Sequence, residues 1–425
     1  MKPLAAHDVM LTPDEALAAI LRHAAPLASE MTDLHQAGSA RAPRVLAQPL
    51  VAERVLPPWD NSAMDGYALR AADVVPGQPL PVLGVIAAGH PATEPLAPGT
   101  CLRIMTGAPL PAGADAVIMR EEAEEAAGQV RFRVTARPGQ HIRRAGEDVR
   151  LGDVVLAAGA TIGAGEIGAL SALGRTLIVV HRQPQVAVLS TGDELVPADR
   201  VPGPGQISNS NSHALAAQIC EAGGVPRILP IATDDPAELR RAFAEALRAD
   251  VVVSSGGVSV GQFDYVRDVL AELGAVEEFS RVAMKPGKPL TFSYIDCGSG
   301  LSARRVLWFG LPGNPASSMV SFELFVRPAL RRLCGIAAAE VSRPRAWVSL
   351  AQPVEPDRNR LHFTRARIER RATATDDSLW ATPLAWQGSG MLRSMLGVQA
   401  LLQIPAGTTV LPAGTRVLAT LLAPV

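Results

Sequence analysis

Residues 251–261 read VVVSSGGVSVG. A strand-like run, Val251–Ser254, opens into a loop of serines and glycines. Glycine lets backbone N–H groups come close to a ligand, and serine adds hydroxyl donors, so Ser255, Gly256, Gly257, Ser259 and Gly261 suit a phosphate-like anion. The helix expected after the loop adds a positive end. The stretch is not a Walker A sequence, because no Gly-Lys-[Ser/Thr] follows, and it is not the dinucleotide fingerprint GxGxxG. Alone, such a loop reads as an ordinary tight turn.

The surrounding sequence changes that reading. From Gln185 to Gly335, strand-like runs (Val186–Leu189, Arg227–Ile231, Val251–Ser254, Val306–Phe309) alternate with helical ones. One helix begins around Asn211 and ends at Gly223-Gly224. Another begins at Asp235, with Pro236 in its first position, and a third covers roughly Ala316–Leu333. The alternation predicts a mostly parallel sheet with helices on both faces, an α/β domain. Four unusual loops each follow a strand: residues 190–194 (STGDE), 233–235 (TDD), 254–261 and 311–315 (LPGNP). Ligand crevices of parallel sheets lie at the carboxyl ends of the strands, so the four loops describe one site.

Glu194, Asp234 and Asp264 lie on or beside these loops. Carboxylates next to a phosphate-binding loop repel the ligand unless a cation intervenes, and Mg²⁺ bridging carboxylates and phosphates resolves the conflict. Asp235 reads as a helix cap. The segment 281–289 (RVAMKPGKP) is the strongest cationic cluster. Pro286 and Pro289 fix φ and Gly287 permits a bend, so Lys285 and Lys288 stand on a stiff loop suited to a tetrahedral oxyanion such as molybdate or phosphate.

Elsewhere, Thr12, Pro13 and Glu15 form a capping box ahead of a stripe made by Leu17, Ile20, Leu21 and Ala24. Residues 44–142 read as a small β-rich domain, with runs at Leu80–Ile86, Ala116–Met119 and Val130–Val134 and a solvated acidic turn at Glu121–Glu125. Residues 148–174 suggest short strands and a helix near Gly165–Leu173. From Arg343 onward, five short runs predict a small β-barrel or sandwich. By spacing alone, SAMDGYA (62–68) and HIRRAGED (141–148) are structural turns with surface ion pairs.

Composition bounds the function. The chain has 425 residues, 48% hydrophobic and 19% charged, enough for about three domains. A net charge of -1 offers no field to gather nucleic acid. Cys101, Cys220, Cys297 and Cys334 are scattered, which argues against a disulfide framework or a Cys-rich zinc site. No secretory h-region and no membrane-length apolar stretch is visible, so a cytoplasmic protein without membrane partners is expected.

PPWDNSAMDGYA, HIRRAGED, LSTGDEL, GQISNSN, SSGGVSVGQFDYV, MKPGKP and LPGNPASS, in this order, closely resemble the MoeA family of molybdopterin molybdenumtransferases, shared with the homologous domain of gephyrin. The resemblance runs along essentially the whole chain. It implies an elongated α/β plus β chain: a linker and dimerisation domain (1–44 and 149–180), a small β-rich domain (45–148), a central doubly wound molybdopterin-binding domain (181–335) and a C-terminal β-barrel-like domain (343–425). It implies a homodimer that turns adenylylated molybdopterin and molybdate into molybdenum cofactor and AMP with Mg²⁺. The molybdopterin adenylyltransferase and cofactor-accepting enzymes would be its protein partners.

Carried over motif by motif, Asp65, Arg143, Asp148, Glu194, Asp264, Lys285 and Lys288 take catalytic places, and Glu194, Asp234 and Asp264 face the metal. Thr191, Gly192, Ser255, Gly256, Gly257, Ser259, Gly261, Arg281, Pro289, Pro312, Asn314 and Ser317 line the ligand. Arg281 stands where some relatives have lysine, and Arg360, Arg365 and Ser389 are candidates for the molybdate pocket. The resemblance also reverses the reading of SAMDGYA and RRAGED, which are expected to reach the active site from the other subunit. Two rivals are a nucleotidyltransferase that makes the adenylylated pterin and a dimeric scaffold without catalysis. The extra terminal domains argue against the first, the intact acidic and basic sets against the second.

Overall fold

The computed structural model describes residues 10–39, 42–256, 265–300, 303–372 and 377–423. The chain forms two compact units. One comprises Gln48–Ala158 and Gly163–Leu177; the other comprises Met1–Ala47, Gly159–Ile162 and Ile178–Val425.

The larger unit begins with α1 (Pro13–His23). Its capping box forms as predicted: Glu15 N–H donates to Thr12 Oγ1 at 3.3 Å, and Thr12 N–H donates to the Glu15 carboxylate at 2.8 Å. The buried face is centred on Ala16, Ala19 and Ile20, with Leu17 and Leu21 only partly covered.

The smaller unit holds a six-stranded sheet of β1 (Gly66–Leu69), β2 (Pro79–Ile86), β3 (Cys101–Ile104), β4 (Ala116–Met119), β5 (Ala123–Ala126) and β6 (Gln129–Phe132), in the order β4-β1-β3-β2-β6-β5. The acidic stretch is not the solvated turn expected. Residues 123–126 form edge strand β5, and the Glu125 carboxylate accepts from the hydroxyl of the buried Tyr67 at 2.5 Å. A charged edge strand leaves no 3.6- or 2-residue apolar period to detect. Helix α2 (Ala164–Ala172) belongs to the same unit.

The centre of the larger unit is a sheet of β7 (Gln185–Ser190), β8 (Val225–Ile228), β9 (Val251–Ser255), β10 (Val276–Arg281), β12 (Pro289–Cys297) and β13 (Arg304–Leu311), ordered β8-β7-β9-β13-β12-β10. The first four are parallel. Strands β12 and β10 extend them antiparallel, an addition the sequence reading did not foresee. Alternate residues face opposite sides. Val186, Val188, Val251, Val253, Leu307 and Phe309 pack toward α1, α3 (Ser210–Ala222) and a final helix; Ala187, Leu189, Val252 and Trp308 pack toward α4 (Pro236–Ala246) and α5 (Tyr265–Glu272). Each fully buried Val, Leu or Phe among them contributes roughly 1.5–3 kcal/mol. Helices therefore cover both faces, as predicted.

Local signals set the helix ends. Asn209 caps α3, accepting from Ser212 N–H at 3.2 Å, and Gly223 closes it at φ +97°. Asp235 caps α4, accepting from Ala237 and Glu238 N–H at 2.9 Å. The final helix, α6, runs Pro315–Ser321, passes through a π turn at Phe322–Val326, and continues as Arg327–Leu333.

The C-terminal part is a closed barrel of β14 (Arg345–Leu350), β15 (Leu361–Ala372), β16 (Asp377–Pro383), β17 (Ala400–Ile404) and β18 (Arg416–Leu421). The β15–β17 pairing closes the ring. One short strand, β11 (Met284–Lys285), leaves the α/β region and pairs parallel with β15, Met284 opposite Leu361 and Lys285 opposite His362. This pairing brings the cationic loop beside the barrel. Among the described residues no helix is long and apolar enough to cross a membrane.

Candidate functional site

Strands β7, β9 and β13 end side by side, with Ser190 opposite Ser255 and Ser255 opposite Leu311. Their following loops surround a cleft of about 600 Å³, bounded by Thr191, Glu194, Asn209, Asn211, Ser255, Gly256, Pro312, Gly313 and Asn314, with Pro289 at one side. Gly256 sits at φ +93°, and a Cβ there would lie 2.6 Å from Thr191 O. Only glycine fits this close approach of two loops. Asn211 ties two more together: its Nδ2 donates to Ser255 Oγ at 2.7 Å and to Gly313 O at 2.8 Å. Thr191 Oγ1 and Asn211 Oδ1 are buried there without a hydrogen-bond partner among the described residues. Such orphaned atoms are what a bound polar ligand satisfies.

No Lys or Arg lines this cleft among the described residues; its one charged wall is Glu194. Asp193 and Asp234 are neighbours, the Asp193 carboxylate accepting from Asp234 N–H at 3.2 Å. Burial, then the negative charges of Asp193 and Glu194, push the Asp234 carboxyl above its ordinary value. An acidic rim on this cleft has the hard-oxygen chemistry that Mg²⁺ takes. The described residues bring no three acidic, His or Cys side chains to metal-holding spacing. Gly257, Ser259, Gly261 and Asp264 lie outside the described residues.

A second hollow, of about 550 Å³, shares Pro289, Pro312 and Asn314 with the first. Its walls carry Lys285, Lys288, Arg360 and His362, with Ser317, Gln387 and Ser389. Gly287, at φ +101°, turns the Lys285–Lys288 loop where a Cβ would meet Ser321 Oγ at 2.6 Å. Lys285 Nζ lies 3.4 Å from Asp357, which also takes Asn359 and Arg360 N–H groups at 3.2 and 3.1 Å and Arg360 Nη2 at 3.4 Å. Burial opposes ionisation of Asp357, but these donors outweigh it and hold its carboxyl at about 2. Lys288 is exposed, lines the same hollow and has no ion pair among the described residues. Asn314 Nδ2 donates to Ser389 Oγ at 3.2 Å, linking the barrel loop to the α/β loops.

Glu194, Thr191, Ser255, Gly256, Pro289, Pro312, Asn314, Lys285, Lys288, Ser317, Arg360 and Ser389 thus border two adjoining hollows, and Gly192 is buried in the loop beside them. Arg281 pairs with Pro289 in the sheet and borders neither. Arg365 is 0% exposed; its Nη2 donates to Gly388 O at 3.3 Å and its N–H to Gln387 Oε1 at 3.0 Å, so it braces the hollow's floor from behind.

In the smaller unit, the exposed Asp65 accepts from Thr106 N–H at 2.6 Å and Oγ1 at 2.9 Å, and those bonds lower its carboxyl. Arg143 pairs with Asn61, and Asp148 N–H donates to Leu56 O at 3.0 Å. Asp60 holds the RRAGED turn through Arg144 at 2.6 Å and Ala145 N–H at 2.8 Å.

Asn211, His362, Asp357 and Gln387 were not singled out from the sequence. Asn211 stands inside the quoted GQISNSN motif. Nothing in the sequence marks His362, which matters only because β11 pairs beside it.

Residues 11–174 match the model of the MoeA N-terminal region (domain I and II), residues 187–332 that of a probable molybdopterin binding domain, and residues 348–422 that of the MoeA C-terminal region (domain IV). The molybdopterin molybdenumtransferase of Nostoc sp. is 41% identical over 315 residues, 73% of this chain and 70% of that one. Molybdopterin molybdenumtransferase 2 of Mycobacterium tuberculosis is 37% identical over 386 residues, 88% of this chain and 91% of its own. A molybdopterin biosynthesis MoeA protein from Pyrococcus horikoshii superposes with a TM-score of 0.78 at 28% identity, covering 97% of this chain and all (100%) of that one. With its two adjoining hollows and matches along nearly its whole length, the chain belongs to the MoeA family of molybdopterin molybdenumtransferases.

Proposed function

We propose that this chain transfers molybdenum from molybdate to adenylylated molybdopterin, releasing AMP, in a cytoplasmic homodimer that uses Mg²⁺. The observation that carries the reading is the junction of a hydroxyl- and amide-rich cleft with an acidic rim and a cationic hollow, joined at Pro289, Pro312 and Asn314. A phosphorylated pterin fits the first and a tetrahedral dianion the second.

The orphaned Thr191 Oγ1 and Asn211 Oδ1, with the Ser255–Gly256 backbone, orient the pterin nucleotide. Glu194 and Asp234, together with Asp264, are the residues that would hold Mg²⁺, which when bound supplies charge neutralisation at the phosphate bridge. Lys285, Lys288 and Arg360 hold molybdate and offset the charge of departing oxo groups, with Ser389 as a further donor. Arg281, which borders neither hollow, is proposed as a ligand-binding residue from the family motif alone. Arg365 keeps the 387–388 backbone in place. The partner subunit's Asp65, Arg143 and Asp148 complete the site. The adenylyltransferase that makes the substrate and the enzymes that accept the cofactor are its proposed protein partners.

The test is direct. Purified protein is incubated with adenylylated molybdopterin, molybdate and Mg²⁺, and AMP is followed. Molybdate-dependent AMP release is expected; ATP consumption with molybdopterin in the absence of molybdate would instead identify the adenylylating enzyme.

A further inference from the structure

His362 is a buried polar group that the reading above leaves without a task. It sits on β15, 7% exposed, in the wall of the cationic hollow, and neither ring nitrogen has a hydrogen-bond partner among the described residues. Its register neighbours are Lys285 on β11 and Ile404 on β17. The charged groups around it are Lys285 from β11, Arg360 and Arg365 flanking it on its own segment, and Asp357 from the turn before it; Lys288, Gln387 and Ser389 share the hollow.

An imidazole buried with both nitrogens unsatisfied costs free energy unless something else completes it. The strand register prevents escape: turning β15 by one residue would expose the apolar face that fills the barrel. The hollow that His362 lines is the place from which a partner can reach it. Burial, followed by the positive charges of Lys285 and Arg365, pushes the imidazole down to about 4, with Asp357 acting in the opposite sense. In the free protein His362 is thus neutral near pH 7. A dianion entering the hollow reverses this balance, because it offsets the neighbouring cations and presents acceptor oxygens.

We propose that His362 is the proton-coupled ligand of the hollow: neutral in the free protein, it takes one proton from solvent as a tetrahedral dianion enters between Lys285, Lys288 and Arg360, and then donates an N–H to an oxyanion oxygen. The inference rests on the reading of this hollow as the molybdate pocket and adds its proton stoichiometry. The event balances as imidazole plus H⁺ plus MoO₄²⁻ giving imidazolium paired with MoO₄²⁻, with no covalent bond to molybdenum made or broken. Affinity then falls as pH rises, by up to about tenfold per pH unit where the free site is neutral and the loaded site charged. An anion site built only of lysine and arginine is flat over this range.

The experiment uses the full chain and sodium molybdate, which stays a dianion near neutrality, whereas phosphate titrates there itself. Calorimetric titration at pH 7 in two buffers of different ionisation enthalpy reads the protons taken up. ¹⁵N spectra of the eight histidine rings read which imidazole changes state. Uptake approaching one proton is expected, with one ring passing from neutral to imidazolium on loading. His362→Gln keeps a neutral hydrogen-bonding group; it should lose that ring signal and the proton uptake, and bind molybdate with a pH-independent affinity. Molybdate binding without proton uptake, or uptake unchanged in His362→Gln, overturns the proposal while leaving the molybdate pocket standing. Failure of the wild-type chain to bind molybdate overturns the pocket itself and this inference with it. If His362→Gln does not fold, the wild-type ring spectra decide: all eight rings unchanged on loading refutes the proposal.

Discussion

Lys288 and Lys285 stand three residues apart on one stiff loop, yet their removal should have different consequences. Lys288 is exposed and has no ion pair among the described residues, so Lys288→Ala frees no buried counter-charge and should shift stability by no more than about 0.5 kcal/mol. What it removes is a charge-assisted hydrogen bond to the anion, worth about 1.5–3 kcal/mol. That corresponds to a rise of about ten- to a hundredfold in the molybdate concentration for half-maximal AMP release. The concentration dependence on adenylylated molybdopterin should change less than threefold on the same energy scale. Lys285→Ala carries the same loss and a second one, because Lys285 Nζ is 3.4 Å from Asp357. The lysine side chain is 45% exposed, so that pair is worth about 0.5–1 kcal/mol after solvent screening. Urea unfolding should therefore separate the two variants in stability while the AMP assay finds both defective in molybdate use. Equal weakening toward molybdate and pterin in Lys288→Ala would refute the division of labour between the hollows.

Four further outcomes are expected. Asp357→Asn should lower stability by about 1–2 kcal/mol at pH 6. Because the folded carboxyl sits at about 2, below its ordinary 3.8, its contribution is present above pH 4 and fades as pH falls toward 2, so wild-type and variant unfolding curves should converge in acid. Gly256→Ala, forced into φ +93° with its Cβ 2.6 Å from Thr191 O, should lose about 1–3 kcal/mol of stability; an unchanged urea midpoint would show that the two loops are not held together. Mg²⁺ should raise the melting temperature of the wild type and do so less in Asp234→Asn and Glu194→Gln, read by scanning calorimetry. Mixing Asp65→Ala with Lys288→Ala chains under conditions that form heterodimers should restore part of the AMP release, and no recovery would place the complete site within one subunit.

The elements that were legible in the sequence are those with local causes. Thr12 and Asp235 cap helices through bonds spanning two or three residues, and the barrel strands appear where short apolar runs between turn residues put them; the Asn209 cap, two residues before the helix start expected near Asn211, was not read. The Gly/Ser and Pro/Gly loops were visible because their residues have special backbone freedom. The acidic edge strand at 123–126 and the antiparallel β10–β12 pair were not, since strand pairing at an edge depends on partners far away in sequence.

The residue types and loops of the MoeA family are thus written along the chain itself, in motifs whose chemistry is local. Only the tertiary structure decided that Lys285 would lie opposite His362, that Asn211 would bind Ser255 and Gly313, and that Arg365 would sit behind the hollow rather than in it. The physical reason is that hydrogen-bond register and burial are settled between segments separated by tens to hundreds of residues, where no periodicity or spacing in the sequence carries the information.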